Sequence, residues 1–69
     1  MMDIRVAEIV VRRVRSQVID LETCQQLAKS VGFGDGLGRF DEVLAQIRAL
    51  EECLTDELDV AIMHMHDAR

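Results

Sequence analysis

Apolar residues in the first half of this chain recur at intervals of three and four. Ile4, Ala7, Val11, Val14, Val18, Leu21 and Ala28 follow that spacing, with Gln25 as its one polar member. All eight positions fall on one helical face, in the a/d pattern of a coiled-coil seam. The β-branched density of residues 4–19 offers a strand as the alternative. Strict alternation fails at Ile9-Val10-Val11 and at Arg12-Arg13, so the pattern predicts helix. Asp20 is placed to cap a second helix running to Val31, which leaves one bent helix or two collinear ones open. The second half repeats the spacing through Phe40, Val43, Ile47, Leu50, Leu54, Leu58, Ala61 and Met65, with Leu44 and Ile62 widening the stripe. Asp41 and Glu42 stand in its first turn, where negative charge suits the helix dipole, and Thr55-Asp56 is a candidate kink.

Between the two arms lies Gly32 to Phe40, which holds all four glycines and both aromatics of a chain without proline. Gly32 is the expected left-handed stop of the first arm. The expectation is all-α: one antiparallel helical hairpin, with arm one at about 3–31, a glycine turn at 32–38 and arm two at about 39–67. Folding about residue 35 sets Arg12, Arg13 and Arg15 opposite Asp56, Glu57 and Asp59. Val6, Ile9, Val10 and Val31 lie off the seam of arm one, as do Leu44 and Ile62 on arm two. A hairpin with that much surplus apolar surface is expected to dimerise into a four-helix bundle.

Sixty-nine residues make one domain with a marginal core, which strengthens the case for a homodimer. The chain is 49% apolar and 30% charged, the balance of a folded domain and not of a disordered tail. Two cysteines are too few for a secreted disulfide framework, and no basic-then-apolar leader follows Met1 and Met2. These features point to a cytoplasmic protein with reduced thiols and to no membrane partner. Cys24 and Cys53 are expected as small buried hydrophobes, with their pairing left open.

The net charge of −5 is unevenly placed. Residues 1–34 carry five basic and four acidic side chains, whereas residues 35–69 carry three and nine. An acidic arm opposes nucleic-acid phosphates and favours a basic partner, such as the DNA-binding face of another protein. The glycine run lacks the strand context of a dinucleotide fingerprint and the Gly-Lys-Ser/Thr ending of a P-loop. Leu27 to Phe33 resembles the first half of a helix-turn-helix, but the second half would present Asp35, Asp41 and Glu42 to phosphates. Met63-His64-Met65-His66-Asp67 offers soft and imidazole ligands, yet alternate residues on a helix point about 200° apart. No nucleophile-and-base arrangement is visible, so no catalytic residue, cofactor or metal is expected. What remains is a binding surface. Phe33, Leu37, Arg39 and Phe40 surround the turn, and aromatics and arginine dominate interface hot spots. Glu51, Glu52, Asp56 and Glu57 supply long-range attraction, while the spacing of Phe40 to Val43 and Ile47 also suits it to the core.

In layout the chain resembles the small phage-encoded anti-activators that silence quorum sensing in Pseudomonas. The likeness lies in the valine-rich basic arm, the turn Gly-Asp-Gly-Leu-Gly-Arg-Phe and the acidic arm Ala-Leu-Glu-Glu-Cys-Leu. The resemblance implies a non-enzymatic dimer that binds a LuxR-type transcriptional activator and keeps it off DNA. It also implies a second target, the assembly ATPase of type IV pili. Alternatives that use the same residues are an anti-CRISPR-like DNA mimic and a small DNA-binding regulator with a partial helix-turn-helix.

Overall fold

The structure, a computed structural model, describes residues 2–67. Two helices build it, α1 (Ile4–Val31) and α2 (Asp35–Asp67). They run antiparallel, packed side by side in a rod of 56 × 16 × 14 Å. Asp3 opens α1: its Oδ1 accepts from the backbone N–H groups of Arg5 (3.1 Å) and Val6 (3.4 Å), satisfying two donors that helix geometry leaves free. No break occurs at Asp20, because the seam runs through Val18 and Leu21 without losing phase. Gly32 ends the helix at φ 90°, and both its N–H and that of Phe33 donate to Ala28 O. Only glycine adopts that backbone without strain.

The second helix starts earlier than expected. It begins at Asp35 and not near residue 39, so the turn narrows to residues 32–34 and Gly36 and Gly38 become helical. Asp35 places its charge in the first turn, and the N–H of Leu37 donates to Gly34 O at 3.1 Å. Leu37 is half-buried, and that contact outweighs the roughly 1 kcal/mol by which each helical glycine falls short of alanine. At Thr55-Asp56 the helix continues unbroken.

Between the helices the seam on α1 consists of the eight expected positions, Ile4 through Ala28, and every other residue of α1 is exposed. On α2 the phase differs from the expected stripe. The seam there is Leu37, Phe40, Leu44, Ile47, Glu51, Leu54, Leu58 and Ala61. Leu44 is only 2% exposed, whereas Val43 and Leu50 are 41% and 49% exposed, and Met65 is exposed as well. Val43 and Leu44 are both apolar, so α2 could meet α1 in either phase. Polar partners on α1 decide between them. Gln25 Nε2 donates to Asp41 Oδ1 at 2.6 Å, and Arg15 Nε donates to Glu51 Oε1 at 2.7 Å.

The core is one side chain thick. Among the described residues Val11, Ala28, Leu44 and Leu58 are the buried apolar ones, and Leu44 is the most deeply buried. The described hairpin exposes 5588 Å², against about 4,400 Å² for a compact monomer of this mass. The radius of gyration, 16.1 Å, likewise exceeds the roughly 11 Å of a compact chain this long.

Candidate protein-interaction site

Heptad positions divide the hairpin into two flanks and two backs. Positions e of both helices line one flank: Glu8, Arg15, Glu22 and Lys29 on α1 face Asp41, Arg48, Thr55 and Ile62 on α2. This flank is sealed by charge. Besides its bond to Glu51, Arg15 donates from Nη2 to Thr55 Oγ1 at 3.4 Å. Arg48 Nη2 lies 3.2 Å from Glu22 Oε2. Among the described residues, every side-chain polar contact between the helices lies here or in the seam beside it.

The opposite flank, built from positions g and c, is bare. Val6, Val10, Leu27 and Val31 of α1 and Val43, Leu50 and Val60 of α2 are all at least 41% exposed there. Of the large exposed apolar residues described, Ile19 alone falls on the charged flank. Cys24 and Cys53 also sit on the bare flank, both free and exposed, so the expectation that they are buried does not hold. Cys24 lies level with Val43, ten residues or about 15 Å along α2 from Cys53, beyond the reach of a bridge within one hairpin.

The expected charge register is not met: Arg15 pairs with Glu51 and not with Asp56, Glu57 or Asp59, and Arg12 and Arg13 are exposed with no ion pair among the described residues. Glu52, Asp56 and Asp59 therefore form an exposed ridge on the back of α2, with Glu57 at its edge, and none has an ion-pair partner among the described residues. Glu51 is turned away from this ridge, into the seam. At the tip, Phe33 is 58% exposed and Arg39 is exposed, whereas Leu37 and Phe40 are half-buried against the seam. Tip and ridge are thus separate surfaces, joined only through the length of α2.

At the open end Met2, Ile4, Ala61, His64 and Met65 line a cleft. His64 and His66 are both exposed, and the side chain of Asp67 lies outside the described residues. Among the described residues no three His, Cys, Asp or Glu side chains are grouped to hold a metal. No described helix is long and apolar enough to cross a membrane. The two helices lie alongside each other, unlike the steep crossing of about 90–120° that a helix-turn-helix uses to present its second helix. Sequence reasoning missed the separation of flanks, although the signal was present: charged residues occupy six of the eight e positions named above. Comparison with protein-family models, curated proteins and solved structures finds no match to this chain.

Proposed function

We propose that this protein is a non-enzymatic inhibitor that acts by binding other proteins. Two hairpins join through their bare flanks into a four-helix bundle, and the acidic back of α2 then covers a basic DNA-binding surface on the target. The carrying observation is the ridge of Glu52, Asp56 and Asp59 with Glu57 beside it, exposed and without internal ion pairs. Carboxylates not engaged within the fold are available to steer a basic partner at long range. Phe33, Leu37 and Arg39 at the tip add contact area of the kind that supplies binding energy. Dimerisation is supported by the surface excess of about 1,200 Å² over a compact monomer, more than the roughly 800 Å² each partner buries in a standard interface.

The resemblance to phage anti-activators narrows the target to a LuxR-type quorum-sensing activator in the bacterial cytoplasm, with the type IV pilus assembly ATPase as a second one. The test is titration of a purified LuxR-type DNA-binding domain with the dimer, followed by association kinetics over a range of salt. Binding at micromolar concentration or tighter is expected, with displacement of operator DNA. Replacing Glu52, Asp56 and Asp59, which lie off the flank that the second copy covers, by lysine is expected to slow association roughly tenfold or more at low salt. No binding would remove the activator as target, and unchanged kinetics in the triple variant would remove the ridge from the mechanism.

A further inference from the structure

We infer that the second copy lies antiparallel on the bare flank, tip against open end, with Arg13 of each copy paired to Asp20 of the other. This inference rests on the dimer proposed above and adds its orientation. The flank of α1 nearly repeats itself when reversed. From the open end it reads Val6, Val10, Arg13, then Gln17, then Asp20, Cys24 and Leu27 toward the tip, with Val31 beyond the repeat, level with the partner's Asp3. Reversal about Gln17 exchanges apolar for apolar and Arg13 for Asp20, with each match level to within about 1.5 Å, one residue of helical rise.

The second helix has its midpoint at the same height. The bonds Arg15–Glu51 and Gln25–Asp41 both set Leu50 level with Ser16 of α1, one residue from Gln17. A two-fold axis crossing the flank at that height, perpendicular to the rod, stacks α1 on the partner's α1 and α2 on the partner's α2. Leu50 then meets the partner's Leu50 at the axis, and the two Arg13–Asp20 pairs close the edge of the interface. Opposite charges that meet only in one alignment fix orientation more than they add affinity.

The competing two-fold runs along the rod and puts both tips at one end. It stacks α1 on the partner's α2 and sets Leu27 against the partner's Arg39 and Val10 against the partner's Glu57. Arg13 then lies level with the partner's Cys53 and gains no opposite charge. The antiparallel alignment likewise brings Val43 level with the partner's Glu57 and Val60 level with the partner's Arg39, so what separates the two alignments is that the one along the rod leaves both Arg13 and Asp20 without an opposite charge.

The experiment is subunit exchange between wild type and the double variant Arg13→Asp/Asp20→Arg, read by native mass spectrometry. Each homodimer keeps two opposite-charge pairs, whereas the mixed dimer has Arg facing Arg and Asp facing Asp. Mixed dimers are expected roughly fivefold below their statistical share, half of all dimers. Each single substitution is expected to weaken self-association roughly fivefold, and the second substitution to restore it. Statistical mixing, or a double variant that dimerises no better than the singles, overturns the antiparallel orientation and leaves the dimer standing. A wild-type chain that stays monomeric at micromolar concentration overturns the dimer itself. Circular dichroism of each variant separates lost association from lost helix.

Discussion

The two flanks of the hairpin are made by the same two helices and carry opposite chemistry. One is closed by Arg15, Glu51 and Thr55, by Glu22 with Arg48 and by Asp41 with Gln25, so four of the six charges at its e positions have an internal partner. The other exposes Val6, Val10, Val43 and Leu50 with no polar closure. A hairpin that ended its life as a monomer would gain from charge on both sides. The closed flank holds the polar contacts between the two helices, while the open one is the face that the proposed dimer would cover. An ion pair between half-exposed side chains contributes little stability, but it specifies alignment well.

Leu44 lies beneath both flanks and sets the scale against which they are compared. Leu44→Ala is expected to cost about 2–4 kcal/mol in urea denaturation at fixed chain concentration, because a core one side chain thick has no second layer to collapse into the cavity. Leu50→Glu attacks the open flank alone. Self-association measured by sedimentation is expected to weaken roughly 100-fold, since burying two unpaired carboxylates at the axis is costly, while the single hairpin keeps its helicity. A similar loss from Leu50→Glu and from substitutions on the closed flank would erase the distinction between them. Arg15→Ala attacks that closed flank and is expected to cost about 1 kcal/mol, leaving the half-buried Glu51 without its partner. Its dimer should survive. Smallest are the changes at the tip. Gly36→Ala is expected to stabilise by about 0.5–1 kcal/mol in thermal melts, because the position is helical and an added Cβ meets nothing within 4 Å. Gly32→Ala should move the melt the other way, since φ 90° disfavours any side chain.

Much of the fold was legible in the residues. The seam of α1 was readable position by position, because a valine-rich helix flanked by arginines has only one apolar stripe of the right width. Gly32 was readable as a stop because no other residue suits the left-handed backbone. The start of α2 was not, since Gly36 and Gly38 argue locally against a helix that packing of Leu37 then extends backward. Among the candidate contact residues, Phe33 and Arg39 beside the turn and Glu52, Asp56 and Glu57 on α2 are exposed, as a contact surface requires. The half-burial of Glu51 was not legible, because its neighbour across the seam, Arg15, is 36 residues away in the chain.

By itself, then, the sequence determined two amphipathic helices, the turn between them and the acidic character of the second. Those properties depend on spacing, glycine conformation and charge, all of which act locally. Only the tertiary structure decided which face of α2 meets α1, because adjacent apolar pairs such as Val43 and Leu44 leave two phases open and Gln25 and Arg15 select one. That choice buries Leu44 and leaves Val43 and Leu50 outside, and from it follows which flank remains uncovered.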